Sequence, residues 1–218
     1  MTNLSPVTLI VLLSVLALLP FFLMMVTSYV KIVVLFSLVR NALGVQQVPP
    51  TMVLNGLAMV LTLFIMGPVG LETWELIEKS GSVEESVSDP ARLAPMLETA
   101  SPPLREFLKR NTDTQMLAAL KNSAQRTWPE RHRAILEENG LLLLIPAFVL
   151  TELTEAFKIG FLLYLPFVII DLIISNILLA MGMMMVSPMT ISLPFKLLLF
   201  VTLNGWLKIS QGLMYGYA

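Results

Sequence analysis

The chain has 218 residues, enough for one or two soluble domains, but 56% are hydrophobic, only 13% are charged and the mean hydropathy is +0.79, where an ordinary globular domain carries roughly 25% charged residues. There is no cysteine and the net charge is −1, which excludes a disulfide framework, a thiolate metal site and a cysteine nucleophile, and leaves no electrostatic footprint for nucleic acid. The charge is also uneven: nine of the fourteen Lys/Arg and twelve of the fifteen Asp/Glu lie between Leu71 and Gly140. Two apolar blocks, 1–70 and 141–218, thus flank a water-compatible insert, 71–140, as expected of an all-α membrane-associated protein.

The first apolar run extends from about Val7 to Leu38. As one helix it would be about 48 Å long, well beyond a ~30 Å hydrocarbon core, so a kink is expected at Pro20. No Lys or Arg precedes Lys31, and Ala17-Leu18-Leu19 is not a small-residue cleavage site, so the first helix reads as retained rather than as a secretory signal. The run ends at Arg40-Asn41, and Gly44 to Pro50 forms a polar turn that closes a hairpin. Thr51 to Met66 is marginal for a span unless its helix continues past Gly67-Pro68. Glu72 to Glu78 reads as a short amphipathic continuation, and Ser80 to Asp89 as a mobile stretch poor in large apolar residues. Pro102-Pro103 starts a helix through Leu104, Phe107 and Leu108, and Asp113 caps a further segment reaching Leu120. The insert is therefore expected to be mainly helical and extramembrane. Lys31 and Arg40, flanking the first turn, point that turn to the cytoplasm and the insert to the periplasm.

The second apolar block opens with Leu141 to Leu150, short and broken by Pro146, and runs into Thr151, Glu152, Thr154, Glu155 and Lys158. Ile159 to Met181 follows with Asp171 in its middle, then a loop around Gly182 to Thr190, then Ile191 to Leu207 with Lys196 inside. Short spans with polar stripes and interior charges pack against protein or line a wet path better than they face lipid.

Asp171 and Lys196 are nearly equidistant from Met183-Met184, so folding the two helices back as a hairpin sets both charges at one depth. Opposite charges at matched depth neutralise one another, either as an ion pair that fixes hairpin register or as part of a proton relay. Met181, Met183, Met184, Met185 and Met189 crowd the loop between them. Flexible, polarizable side chains of this kind suit a constriction that must yield to an irregular object, and they equally suit an ordinary helix end. Glu152 and Glu155 are paired carboxylates of the kind that do acid–base work, and with Lys158 they equally have the spacing of helix-surface ion pairs. The only histidine, His132, lies in the insert, and no HExxH, G-x-S-x-G or P-loop sequence occurs. The stripe therefore reads as a subunit or ion-pair contact, with no catalytic, cofactor or metal site. Arg40 to Pro50 reads as a helix C-terminus and loop, with Arg40 complementing the dipole and Gly44 as the left-handed cap. Nothing in that reading accounts for Gln46-Gln47.

That loop, Arg40, Asn41, Gly44, Gln46, Gln47, Pro49 and Pro50, resembles the signature of the type III secretion export-apparatus family, the FliP/YscR/SctR proteins of flagella and virulence injectisomes. The resemblance continues through Leu19-Pro20-Phe21, Thr27 to Ile32, Asn55-Gly56, Phe64 to Pro68 and Leu104 to Phe107. In the second block it runs through Pro146-Ala147-Phe148, Glu152-Leu153, Ala156 to Phe161, Leu165-Pro166-Phe167, Ile170-Asp171-Leu172, Gly182 to Met185, Leu193 to Lys196 and Gly205-Trp206. Val45-Gln46-Gln47, Ser187-Pro188, Asn204-Gly205-Trp206 and the lack of an evident signal peptide favour the injectisome branch. The resemblance implies a non-enzymatic pore subunit of the export gate, conducting unfolded proteins across the bacterial inner membrane, with much of the assembly on the periplasmic side. It implies a homo-oligomer, a pentamer, joined by the small Q/S-type and R/T-type subunits and by the switch and gate proteins of the apparatus. It also implies a gasket formed by Met183, Met184 and Met185 and an inter-helix salt bridge between Asp171 and Lys196. The rival reading is an ion-coupled secondary transporter, for which no internal repeat is visible.

Overall fold

The computed structural model describes residues 6–45, 47–80, 100–133 and 140–217, and among these every regular element is a helix. In chain order they are α1 (Pro6–Val26), α2 (Tyr29–Ala42), α3 (Thr51–Ser80), α4 (Pro102–Arg110), α5 (Thr114–Thr127), α6 (Glu130–Arg133), α7 (Leu141–Ala180), α8 (Pro188–Thr202) and α9 (Gly205–Tyr215). The stretch Ser80 to Asp89, expected to be mobile, lies outside the described residues apart from Ser80, which closes α3.

Proline placement accounts for most differences from the sequence reading. The first run is interrupted at Thr27-Ser28, while Pro20 lies inside α1. The second run does continue past Gly67-Pro68, giving α3 thirty residues. Leu141 to Leu150 is not broken at Pro146: with Ile159 to Met181 it belongs to α7, one helix of forty residues that also contains Pro166. A proline removes a single backbone hydrogen bond, and in apolar surroundings the remaining groups have no partner better than the helix itself. The last run, by contrast, divides. α8 ends at Thr202, Asn204 takes a left-handed conformation at φ 50°, and α9 leaves at a 56° bend. Among the described residues α3 and α7 are each long and apolar enough to cross a membrane, and up to four spans result if each bent helix pair counts as one. The chain is an all-α membrane protein.

Two compact units share these helices. The first comprises residues up to Val30 and Pro68–Thr151. In it Phe107 and Phe148 meet at 5.8 Å beside buried Leu108, Leu144 and Ala147. Asp113 caps α5 by accepting from the Gln115 N–H at 2.7 Å, and its own N–H donates to Thr151 Oγ1 at 3.1 Å. The second unit comprises Lys31–Gly67 and Glu152–Ala218. α2 supplies its centre, with Ile32, Leu35, Phe36, Val39 and Ala42 buried at helical spacing. Val39, Ala42 and Leu43 pack with Phe167 of α7 and Phe200 of α8. Trp206 of α9 meets Phe36 edge-on at 5.7 Å and Phe200 at 5.2 Å.

Candidate functional site

The methionine loop is held at both ends, and the side chains in its middle stand out from the chain. At the end of α7 the Met183 N–H donates to Leu178 O at 2.9 Å and the Gly182 N–H donates to Leu179 O at 3.0 Å, with Gly182 at φ +73°. This is the Schellman arrangement, whose left-handed position favours glycine. At the other end Ser187 is extended and Pro188 opens α8, earlier than the sequence reading placed that boundary. From the α7 anchor onward Met183, Met184 and Met185 are 40%, 80% and 100% exposed, so the last two pack little against their own chain.

Below the loop, α8 presents Ser192 and Lys196 one turn apart to Asp171 of α7. Lys196 Nζ donates to Asp171 Oδ2 at 2.6 Å and to the Ala42 carbonyl at 3.3 Å, while the Ser192 hydroxyl donates to Asp171 Oδ1 at 2.6 Å. Ser192 and Lys196 are buried, whereas the Asp171 side chain keeps 39% of its surface. Both oxygens of one carboxylate are thus engaged by buried donors, the arrangement a charge in apolar surroundings requires.

A second ionic cluster takes Glu152 and Glu155, read above as subunit or ion-pair contacts, to partners that the sequence reading did not name. Lys31 of α2 lies 2.9 Å from Glu152 Oε1 and 2.5 Å from Glu155 Oε2, both on α7, and 4.4 Å above the ring of Tyr217. The Tyr217 hydroxyl donates to Glu152 Oε2. Burial, and then the Glu152 carboxylate, push the Tyr217 phenol well above its ordinary range, so it keeps its proton and acts as a donor. Glu152 is completely buried and Glu155 half exposed, while Lys158, placed in the same stripe by sequence, is exposed. The signal available was a lysine alone in one apolar run and two acids in another. Five of the eight charges outside the insert fall in these two clusters.

The turn after α2 is built as its residues suggest. Arg40 donates to Thr51 Oγ1 at 2.9 Å, the Asn41 carbonyl accepts from the Gly44 N–H at 3.0 Å, and Gly44 stands at φ +78°. Gln47 is exposed, Pro49 follows, and the Pro50 carbonyl accepts from the Val53 N–H at 2.9 Å to start α3. Gln46 lies outside the described residues. Among the described residues no group of three or more His, Asp or Glu is placed to hold a metal ion.

Comparison with known proteins adds a lineage to this geometry. The model of the FliP family matches residues 12–213. The chain is 50% identical over 211 residues to the Yop proteins translocation protein R of Yersinia pestis, covering 97% of this chain and 96% of that one. It is 48% identical over 217 residues to the hypersensitivity response secretion protein HrcR of Ralstonia nicotianae, covering all of both chains. With the virulence protein YscR of Salmonella typhimurium it shares 50% identity over 205 residues, 93% of this chain and 92% of that one.

Proposed function

We propose, for a chain that belongs to the FliP family, that it is a pore-forming core subunit of a type III secretion export gate, conducting unfolded protein substrates across the bacterial inner membrane. The relatives carry names of translocation and secretion components, and the two apolar helices suit a membrane subunit of such an apparatus. A transporter reading has no support in that company. The protein acts without catalysis, as a homo-oligomer, a pentamer, joined by the small subunits and the switch and gate proteins of the apparatus, with much of the assembly on the periplasmic side of the membrane.

The observation that carries this reading is the methionine loop. Three consecutive methionines are exposed between two fixed helix ends, at 40%, 80% and 100%. Side chains so placed in each of several copies around an axis meet one another rather than their own chain. Their flexibility lets them close on water and ions, then yield to a passing polypeptide of any sequence. Asp171 and Lys196 hold together the two helices that present the loop. Replacing Met183, Met184 and Met185 together by alanine is expected to raise the resting ion leak of cells carrying the whole apparatus, with the protein inserted at normal amounts. A leak and a secretion level both unchanged would overturn the gasket assignment.

A further inference from the structure

The Asp171–Lys196 pair is only half of what stands below the loop. Lys196 takes Asp171 Oδ2, and the other oxygen, Oδ1, accepts from the Ser192 hydroxyl at 2.6 Å, with Ser192 completely buried. The same hydroxyl lies 3.2 Å from the Met189 carbonyl, in the first turn of α8. A hydroxyl has one proton to give, and the shorter contact to a charged acceptor takes it. Lys196 in turn has a second acceptor, the Ala42 carbonyl, which belongs to the last turn of α2, where intrahelical donors run out. A Cβ on Gly44, two residues on, would stand 3.9 Å from Lys196 Nζ, 3.9 Å from Met189 Cγ and 3.7 Å from Leu193 Cδ1, so the α2 turn rests on this face of α8.

We infer that Ser192 is a positioning residue for the methionine loop, acting through Asp171. Lys196, through the Ala42 carbonyl, ties α2 to the same carboxylate, so the stem of the loop is a node of α2, α7 and α8 rather than a two-helix hairpin. The inference rests on the pore reading given above. An ion pair alone lets two helices pivot about one contact, because a lysine is a point charge on a flexible stem. Fixing the second carboxylate oxygen from one turn up α8 removes that pivot and sets the start of α8, and therefore the span of the loop, against the end of α7.

The chain has no cysteine, so Ser187→Cys, at an exposed position outside the three gasket methionines and without a side-chain cap bond, takes a single nitroxide label in the otherwise complete protein. In the assembled apparatus Ser192→Ala is expected to increase the mobility of that label. In unlabelled cells it is expected to raise the resting leak by about tenfold, the effect of one hydrogen bond to a charged acceptor on a closed-to-open ratio. Ser192→Thr, which keeps the hydroxyl, stays near the natural protein in both. In an Asp171→Leu, Lys196→Leu background, where the acceptor is gone and apolar groups fill the space, Ser192→Ala adds nothing. Label mobility unchanged by Ser192→Ala at equal inserted amounts, or an equal increase in that background, overturns the inference. The alanine replacement of Met183 to Met185 decides the pore reading separately: if it gives no leak the gasket falls, and the label alone still decides whether Ser192 positions the loop.

Discussion

Glu152 is a carboxylate with no exposed surface at all, and two neighbours hold it against a third of like charge. Lys31 gives it a counter-charge at 2.9 Å, the Tyr217 hydroxyl donates to its other oxygen, and Glu155 shares the lysine from a half-exposed position. Removing one partner of a buried pair costs about 3–5 kcal/mol because the other charge is stranded, whereas replacing both is often near neutral. Lys31→Met is therefore expected to lower stability by that amount, and Lys31→Met with Glu152→Gln to recover most of it, since the amide still accepts from Tyr217. Tyr217→Phe keeps the ring under Lys31 and loses only the donor, an expected cost of about 1.5–3 kcal/mol. Thermal unfolding of the detergent-purified variants measures all three, and equal losses in the single and double lysine variants would show that the charges do not depend on one another. The acids of this cluster were legible as a contact, but their partners were illegible in the sequence for a physical reason. Lys31, Glu152 and Tyr217 lie far apart along the chain, and no local periodicity says which apolar run will face which. Asp171 and Lys196 face each other across a single loop, so matched depth alone suggested a meeting.

At the scale of elements, the residues that dictate a boundary by their own backbone chemistry were readable, and those whose effect depends on surroundings were not. Pro102-Pro103 opens α4 and Asp113 caps α5, because a missing donor and a carboxylate acceptor act locally. Pro20, Pro68, Pro146 and Pro166 have the same ring and end nothing, because an apolar environment offers the neighbouring backbone no alternative. Gly182 belongs to the first kind. Its φ of +73° is unfavourable for an L side chain by roughly 1–2 kcal/mol, and nothing stands within 4 Å of where a Cβ would go. Gly182→Ala therefore adds backbone strain without a clash. The Met183 N–H, bonded to Leu178 O at 2.9 Å in this cap, is expected to exchange with solvent about tenfold faster in the alanine variant. Gly182→Asn should exchange more slowly than the alanine variant, since asparagine tolerates the left-handed region. Equal rates in all three proteins would mean that the cap does not hold the loop.

For the whole molecule, the length of α7 sets the problem. Forty residues rise about 60 Å, twice a ~30 Å hydrocarbon core. Apolar side chains nonetheless lie exposed along most of it, from Leu142 and Leu150 through Phe157, Phe161, Ile169 and Ile173 to Leu179. Lipid can cover only about 20 residues of such a helix, and an apolar face standing in water beyond that is costly unless protein covers it. Other copies of the chain and the small subunits of the apparatus would supply that cover and bring the methionine loops together about one axis. On the pore proposal, native mass spectrometry of the purified protein, alone and with the neighbouring subunits, is expected to give a discrete homo-oligomer that takes up those subunits. Because the chain lacks cysteine, single cysteines placed along α7 and challenged with a water-borne maleimide read the cover directly. Lipid alone protects one window of about 20 residues. Subunit packing protects the stripe from Leu150 to Leu179, roughly 45 Å of helix, in the assembled protein. A monomer by mass, with protection confined to the shorter window, would leave α7 a lipid-facing span with a wet extension, and the methionines of one chain would then have no partners to close against.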